Sequence, residues 1–221
     1  MKSQIFYTDT YKKIEIKIKE FLNKQPDFLT KATVTSTRAT GDAIQTILGE
    51  NFQSIVGSVV KEYSTDFARR AMADFAFTDQ DNFYYLVDVK THRLETKFNM
   101  PNLTSVVRLA RFYKDDRNYY VILLIAYQVI SGIHIKVEKV HFVPIEFLSW
   151  DCLTVGALGW GQIQIANANN IKTNPKYSRK KWMLEMCEVL FRFYPREIEK
   201  VKNRLEYFKK IEKYWRERTD I

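Results

Sequence analysis

An α/β or α+β fold with a central mixed β-sheet flanked by helices is the class that this sequence predicts. Three observations support the prediction. Residues 43–63 repeat apolar side chains at helical spacing, residues 71–94 alternate as two strands around a polar turn, and residues 119–145 contain two further strand-like runs. A helix, a hairpin and more strands in this order indicate helices packed around one sheet.

The N-terminal region contains two candidate elements. Residues 10–22 fit either an amphipathic helix or an alternating strand, and Pro26 ends whichever forms. Gly41 and Asp42 then mark the start of a predicted helix over residues 43–63. Its apolar residues at helical spacing are Ile44, Ile47, Leu48, Phe52, Ile55 and Val56.

The middle of the chain predicts a β-hairpin followed by a helix. The hairpin covers residues 71–94, with the polar residues 79–82 as its turn. After Pro101, residues 102–114 have the apolar spacing of a helix.

The remaining elements are two strands and one long helix. Residues 119–130 and 133–145 predict strands joined by a Ser-Gly turn, and the nearly continuous apolar character of the first indicates burial on both faces. A glycine-punctuated stretch over residues 154–170 precedes a charged helix predicted for residues 178–218, with Pro195 as a point of interruption.

The charge balance indicates a polyanionic partner. The chain has 35 Lys and Arg against 26 Asp and Glu, a net charge of +9 and a pI near 9.4. This favours nucleic acid or an acidic membrane surface, and charge alone does not choose between them. The longest apolar stretch lies within residues 119–130 and is too short to span a bilayer.

Cysteine usage and the first residues predict the cellular compartment. Cys152 and Cys187 are the only cysteines, and neither lies in a CxxC or Cys/His cluster, so we expect no disulfide framework and no structural zinc site. Charged residues interrupt the N-terminus where a secretion signal needs an apolar run. We therefore expect a soluble, cytoplasmic protein.

Asp74, Asp88 and Lys90 form the group that predicts chemistry. Asp88 and Lys90 are two positions apart on the second hairpin strand and point to the same face, and pairing across the turn brings Asp74 near Asp88. Neighbouring carboxylates in an apolar hairpin need a compensating cation, and Mg²⁺ prefers carboxylate and carbonyl oxygens. The predicted ligands of one or two Mg²⁺ ions are Asp74, Asp88 and the Val89 carbonyl. Lys90 would orient water or stabilise the transition state of phosphodiester hydrolysis.

A structural ion pair is the main alternative for these residues. A D-x-K triplet alone is typical of a surface strand with alternating charges. The apolar residues 83–89 indicate a buried strand, in which pairing of Lys90 with Asp88 or Asp74 would also compensate the charges. His92 continues the same face and is interpreted as a surface histidine, with an approach to a phosphate or to the edge of the substrate as the alternative.

The two hairpin segments ADFAFT and YYLVDVKT resemble the D…(D/E)-x-K motif of the PD-(D/E)XK nucleases, with Ala73 where the family name has proline. The longer segment LVDVKTHRLETKFNMPNL resembles the blunt-cutting type II restriction endonucleases of the EcoRV and HincII group. The blocks TRATGDAIQ and WGQIQI extend the resemblance to about half of the chain, whereas the first 30 residues match nothing.

The resemblance implies a restriction-endonuclease-like core that hydrolyses double-stranded DNA with Mg²⁺ and leaves blunt ends. It implies that Asp74 and Asp88 bind the metal, that Lys90 is the catalytic lysine, and that Asn99 and Asn102 lie on a loop that contacts bases. Without it, a helix cap is an equally good role for Asn102. Cutting both strands of a palindrome needs two sites related by a two-fold axis, so a homodimer is also implied.

Residues 162–181 concentrate amide and basic side chains that suit DNA. Asn and Gln can pair with the adenine edge in the major groove while Lys and Arg hold phosphates, so an A·T-rich target is predicted. Contacts from arginine to guanine stay open as the alternative, because Arg38, Arg93 and Arg108 lie near the proposed site in the sequence. A polar loop with solvated lysines is the alternative. The candidate DNA-contacting residues in this segment are Gln162, Gln164, Asn167, Asn169, Asn170, Lys172 and Arg179.

On this interpretation residues 1–221 form a single nuclease domain. It comprises an N-terminal segment over residues 1–40 that is a candidate for dimerisation, a catalytic core over residues 41–165, and a recognition loop with the C-terminal helix over residues 166–221. The C-terminal helix is the other candidate for the dimer interface, but its apolar residues are more typical of intramolecular core. These residues are Trp182, Leu184, Met186, Leu190, Phe191 and Phe193. Two other functions stay open. One is a repair or junction-resolving nuclease with the same core, and the other is a non-catalytic, basic DNA-binding protein.

Overall fold

The computed structural model describes residues 2–25, 28–65 and 73–219. The chain divides into two compact units, Met1–Tyr177 and Ser178–Ile221. The predicted class is confirmed, because the first unit is built on a five-stranded mixed sheet with helices packed against it. Pro26 and the first two residues of the predicted hairpin, Ala71 and Met72, lie outside the described residues.

The described ranges contain five α-helices and eight strands. The helices are α1 (Thr10–Asn23), α2 (Lys31–Thr35), α3 (Thr37–Val56), α4 (Val106–Phe112) and α5 (Arg179–Arg216). The strands are β1 (Val60–Ser64), β2 (Phe75–Asp79), β3 (Tyr84–Arg93), β4 (Asn102–Ser105), β5 (Asn118–Ser131), β6 (His134–Pro144), β7 (Leu153–Gly156) and β8 (Gln162–Ile165). Short 3₁₀ turns lie at Gly57–Val59, Ile145–Phe147, Trp150–Cys152 and Leu158–Trp160.

The larger sheet has the strand order β1-β2-β3-β5-β6, which places β3 at its centre. Strands β2 and β3 form the predicted antiparallel hairpin, and the predicted pair β5 and β6 is antiparallel as well. Strands β3 and β5 run parallel. A parallel pair requires a crossover, and here the chain leaves the sheet through β4 and α4 before returning. Burial of every side chain from residue 119 to 125 confirms that β5 is covered on both faces.

Helices α1 and α3 pack against this sheet. The segment that fitted either a helix or a strand is helix α1, which buries Tyr11, Ile14, Ile18 and Leu22 at helical spacing and contacts β6. Helix α3 contacts β3 and β1, and it also touches α1. The side chains of α3 therefore lie close to the central strand on which the candidate site is built.

Two predicted helix boundaries are wrong. Helix α3 begins before Gly41, because the Ser36 side chain accepts a hydrogen bond from Ala39 N at 3.2 Å and caps the helix there. It ends at Val56, since Gly57 adopts a φ of 72° and turns the chain into β1. The apolar spacing continued past the glycine and concealed this break.

The predicted helix over residues 102–114 is wrong in its first four positions. Residues 102–105 form strand β4, and helix α4 starts only after Ser105, whose side chain accepts from Arg108 N. The helix-cap interpretation of Asn102 is therefore also wrong.

A second, three-stranded antiparallel sheet has the order β4-β8-β7. Asn102 pairs with Gln164, which pairs in turn with Thr154, and Ser105 pairs with Gln162. Ile163 and Ile165 are fully buried, so the alternating residues Gln162 and Gln164 lie on the opposite face.

The second unit is helix α5. The predicted helix is confirmed, starting after Ser178, which accepts from Lys181 N at 3.2 Å, and continuing through Pro195 to Arg216. None of the helices in the described ranges is long and apolar enough to cross a membrane.

Candidate active site

The sequence predicted that Asp74 lies within the first hairpin strand. In the structure it lies one residue before β2. Its backbone N–H donates to the Val87 carbonyl at 2.9 Å, so the hairpin register continues past the strand end. Its Oδ2 accepts from Val89 N at 2.6 Å, and its Oδ1 accepts from Gln45 Nε2 at 2.5 Å. Burial raises the pKa of Asp74, and the hydrogen bond from Val89 opposes that rise. The carboxylate is thus fixed by the central strand and by α3.

Asp88 lies on the central strand β3 and is only 4% exposed. Its Oδ1 accepts from Lys90 Nζ at 2.5 Å, which confirms that residues two apart share a face here. Burial raises the pKa of Asp88 to about 7, Lys90 lowers it, and the neighbouring charge of Asp74 raises it again. The two carboxylates are therefore close enough to influence each other.

The second oxygen of Asp88, Oδ2, is buried and accepts no hydrogen bond of ordinary geometry. The Tyr120 hydroxyl is near enough to lower the pKa of Asp88, yet it donates to the Leu103 carbonyl at 3.2 Å. A buried carboxylate oxygen without a full donor is costly, and a cation would relieve that cost.

The available donors fit a hard divalent cation. In a strand the N–H and C=O of one residue face the same neighbour, so the Val89 carbonyl points to the edge where Val89 N meets Asp74. Two carboxylates and one carbonyl, completed by water or phosphate, match the ligands that Mg²⁺ accepts. Within the described ranges no three His, Cys, Asp or Glu side chains converge on one point, so an ion here would depend on these donors.

The ion pair between Lys90 and Asp88 is also what the non-catalytic alternative predicts. The Lys90 side chain is 23% exposed and that of Asp88 is 6% exposed, so the ammonium lies between the buried acid and solvent. The cluster therefore already has one compensating cation. A metal ion would bind by displacing the Lys90 ammonium from the Asp88 carboxylate.

One cavity is lined by Asp74, and another by Thr91, the residue after Lys90. A cavity of about 470 Å³ contains Asp74 and Gln45 in its wall, together with Glu50 of α3. Another, of about 370 Å³, lies at the end of β3, where Arg38 and Arg93 line it. One cleft is thus acidic and next to a carboxylate, whereas the other is basic.

Helix α3 approaches the central strand closely at Gly41. A Cβ at this position would lie 2.7 Å from the Thr91 hydroxyl, directly after Lys90 in the chain. Only glycine allows that spacing without a shift of the neighbouring atoms. The same helix carries Gln45, so this contact helps to set the position of Asp74.

Three of the predicted DNA-contacting residues lie together on the smaller sheet. Gln164 Nε2 donates to Asn102 Oδ1 at 2.6 Å, and Gln162 lies on the same face as Gln164. A Cβ at Gly156 would lie 2.6 Å from Gln164 Oε1, so the glycine leaves room for this amide. Asn102, Gln162 and Gln164 thus form an accessible row of amides, called the amide face below.

Asn99 and Asn169 hold His92 between them. Asn169 Oδ1 lies 2.8 Å from His92 Nε2, and Asn99 Nδ2 lies 3.4 Å from His92 Nδ1. The Asn169 amide also donates to the carbonyls of Thr96 and Lys97. His92 is only 1% exposed, so its interpretation as a surface histidine is wrong. These two asparagines have intramolecular roles in addition to any contact with DNA.

The other predicted contacts are dispersed. Asn167 Oδ1 accepts from Asn169 N at 3.1 Å, which is the turn role that the alternative interpretation described. Asn170 is exposed in the same turn, and the Lys172 ammonium lies 3.6 Å from Asp151. Arg179 is the first residue of α5 and belongs to the second unit.

Gln45 and Trp160 were missed by the sequence reasoning. Trp160 lies between β7 and β8, is 72% exposed and has a φ of 65°. A bulky residue in the left-handed region is strained, and such strain is typically retained at functional positions. The glycine-rich sequence around it, GALGWG, was the available signal.

No protein-family model matches this chain, and a search of curated proteins likewise finds no match. The resemblance to the PD-(D/E)XK nucleases therefore rests on the segments quoted above.

Proposed function

We propose that this protein is a sequence-specific type II restriction endonuclease. It would hydrolyse both strands of a palindromic, A·T-rich DNA site with Mg²⁺ and leave blunt ends with 5′-phosphates. The observation that supports this most is that the Asp74 carboxylate accepts from Val89 N of β3, while the preceding residue of that strand, Asp88, accepts from Lys90. One buried and one half-buried acid with an adjacent lysine suit phosphodiester hydrolysis better than they suit fold stability.

Each residue of the site has a distinct role in this proposal. Asp74, Asp88 and the Val89 carbonyl hold the metal, and Gln45 positions Asp74 through its 2.5 Å hydrogen bond. When bound, Mg²⁺ supplies neutralisation of the developing phosphate charge and lowers the pKa of bound water. Lys90 leaves Asp88 and holds the attacking water or a phosphate oxygen.

DNA binding is assigned to the basic cleft and the amide face. Arg38 and Arg93 provide charge for the phosphate backbone next to the site, consistent with the net charge of +9. Asn102, Gln162 and Gln164 present paired donors and acceptors of the kind that read adenine. Asn99 and Asn169 orient this region through His92.

The exposed turn beside the amide face suits a distorted duplex. Leu158 is 65% exposed and Trp160 is 72% exposed, and they lie four and two positions before Gln162 in the chain. Apolar side chains in such positions are used by DNA-binding proteins to wedge between base steps. Cleavage of both strands of a palindrome further requires a homodimer.

The two alternatives make different predictions. A repair or junction-resolving nuclease uses the same acids and lysine but recognises DNA structure. A non-catalytic DNA-binding protein retains the Lys90–Asp88 ion pair as a structural feature and cuts nothing.

Incubation of the full chain with a long sequenced DNA tests the proposal. We expect discrete fragments in Mg²⁺ and none in EDTA, and sequencing of the ends should reveal one palindromic site cut at the same position on both strands. Random nicks or cleavage confined to branched DNA would refute the restriction activity. Tight, salt-sensitive binding without cleavage in Mg²⁺ or Mn²⁺ would favour the binding protein.

A further inference from the structure

Helix α5 has an apolar seam with a seven-residue repeat. With Leu184 taken as heptad position a, the a residues are Leu184, Phe191, Ile198, Leu205 and Glu212, and the d residues are Cys187, Tyr194, Val201, Phe208 and Trp215. Only Glu212 among these ten is charged. The spacing of three and four residues alternates without a break from residue 184 to residue 215, on both sides of Pro195.

Seven of the nine apolar side chains of this seam are exposed, whereas Cys187 and Tyr194 are half-buried. The exposed fractions are 56% for Leu184, 75% for Phe191, 56% for Ile198, 46% for Val201, 58% for Leu205, 61% for Phe208 and 58% for Trp215. The two buried residues of the helix, Trp182 and Met186, lie at heptad positions f and c and so on a different face. Contiguous apolar surface of this extent on one helix is rare without a partner.

The period of the repeat identifies the kind of partner. A helix that covers its own domain has a wide apolar face with a period of about 3.6 residues, whereas a narrow a/d seam with a period of about 3.5 is typical of a coiled coil. A seam kept in phase over four heptads favours the second case. An identical seam on another copy is self-complementary about a two-fold axis.

We propose that α5 pairs with α5 of a second copy of this chain in a two-stranded coiled coil. The charges beside the seam agree with a copy of the same helix as partner. Glu197 is at position g, and it would face Lys202 of the second copy in a parallel pair or Arg204 of the second copy in an antiparallel pair. Attraction across the seam is therefore available in either orientation.

This inference depends on the helix alone and does not require nuclease activity. It assigns the interface of the expected homodimer to residues 184–215 and not to the N-terminal segment. A dimeric protein that cuts nothing would uphold it and refute the nuclease. A DNA-cutting dimer whose seam variants still dimerise would refute this interface and uphold the nuclease.

The test is the molar mass of the full chain by size-exclusion chromatography with light scattering over a series of concentrations. We expect twice the 26.3 kDa of one chain. Leu205→Glu removes a seam contact and should raise the dimer dissociation constant by about 100-fold or more, because deletion of a buried leucine side chain alone has an effect of that size. The matched control is Tyr207→Glu, in the same turn and also 58% exposed, but off the seam; it should stay dimeric.

Phe208→Glu is a second seam variant, and thermal unfolding checks that each variant keeps a folded first unit. A monomeric wild type, or seam variants that dimerise as well as Tyr207→Glu, would overturn the proposal. So would a monomer whose seam binds acidic phospholipid vesicles in a Leu205-dependent way, since the covering partner would then be a membrane.

Discussion

The carboxylate site and the amide face of this protein use polar side chains in opposite ways. Asp88 is buried and Asp74 half-buried beside the centre of the larger sheet, and their partners are a backbone amide, one amide side chain and Lys90. Asn102 and Gln164 lie on the outer face of the smaller sheet and bond mainly to each other. One region holds charge where water is scarce, and the other holds neutral groups where water can replace any partner.

This difference sets the size of the effects that substitutions should have. Buried charges interact strongly, and the loss of one partner leaves the other uncompensated. An exposed amide contributes about 1 kcal/mol, and water can take over its hydrogen bonds. Substitutions in the carboxylate site should therefore abolish DNA cleavage, whereas those on the amide face should shift the base preference.

The largest effect is expected for Lys90→Ala. Loss of the ammonium should reduce the cleavage rate by about 10²–10⁴-fold, as for other groups that move protons or stabilise charge. The affinity for duplex DNA should change by no more than a few-fold. Since Lys90 lowers the pKa of Asp88, the assay should be run well above pH 7 in saturating Mg²⁺, where the acid is ionised in both proteins.

Lys114→Ala is the matched control, because Lys114 is an exposed lysine outside the cluster. It should cut at the wild-type rate. If Lys90→Ala retained turnover within tenfold of wild type, Lys90 would have no place in the mechanism, and the ion pair with Asp88 would be structural.

The hairpin could be predicted from sequence because its geometry is local. A short polar turn fixes the register of β2 and β3, and this register brings Asp74 to the edge of β3 beside Asp88. The alternation of a strand likewise places Lys90 on the face of Asp88. Three residues within 17 positions of one another therefore revealed the cluster.

The remaining contacts depend on packing between distant segments. Gln45 reaches Asp74 only because α3 lies against β3, and no local pattern indicates that pairing. Asn169 meets His92 across 77 positions, so a histidine that alternates as a surface residue is in fact enclosed. Apolar spacing also cannot detect a single glycine that ends a helix, as at Gly57.

A smaller effect is expected for Asn102→Ala on the amide face. The substitution removes the acceptor of Gln164 and one side chain assigned to base contact. Discrimination should fall by about 1–3 kcal/mol, roughly 5–150-fold in the ratio of cleavage at the preferred site to cleavage at single-mismatch sites. The maximal rate at the preferred site should change much less.

The control for Asn102→Ala is Gln80→Ala, an exposed amide in the hairpin turn. Competition cleavage of matched and mismatched DNA in one tube measures the ratio directly. An unchanged ratio with unchanged affinity would remove Asn102 from recognition and leave Gln162 and Gln164 to be tested in the same way.

Asn169→Ala should act on stability instead of specificity. Its amide bonds His92 and the carbonyls of Thr96 and Lys97, so its loss leaves polar partners unsatisfied at a cost of about 1–2 kcal/mol. Asn170→Ala, in the same turn, should change the free energy of unfolding by less than about 0.5 kcal/mol. Urea denaturation measures both. A variant of Asn169 with wild-type stability and altered base preference would return this residue to the recognition surface.

The smallest effect is expected at Glu15 of α1, a carboxylate with a raised pKa that has no proposed role in catalysis. Its substitution should change only the pH dependence of stability. Burial raises its pKa to about 7 from 4.5, although it accepts a hydrogen bond from Phe142 N at 2.8 Å. Between these two pH values the folded state keeps a proton that the unfolded state releases, so stability falls as pH rises. Glu15→Gln should remove this part of the slope and add on the order of 1 kcal/mol at pH 8, after allowance for partial exposure.

The raised pKa of Asp88 also makes the free energy of unfolding depend on pH in the same range. Denaturation in EDTA and in Mg²⁺ can distinguish the contributions of Asp88 and Glu15. Mg²⁺ should hold Asp88 ionised and so abolish the contribution of Asp88 to the slope of stability against pH. The contribution of Glu15 should persist in Mg²⁺ and disappear only in Glu15→Gln. Cleavage by the folded variant should be unaffected. If Mg²⁺ left the slope of Glu15→Gln unchanged, Asp88 would not be binding the ion, and the two acids would differ in position but not in function.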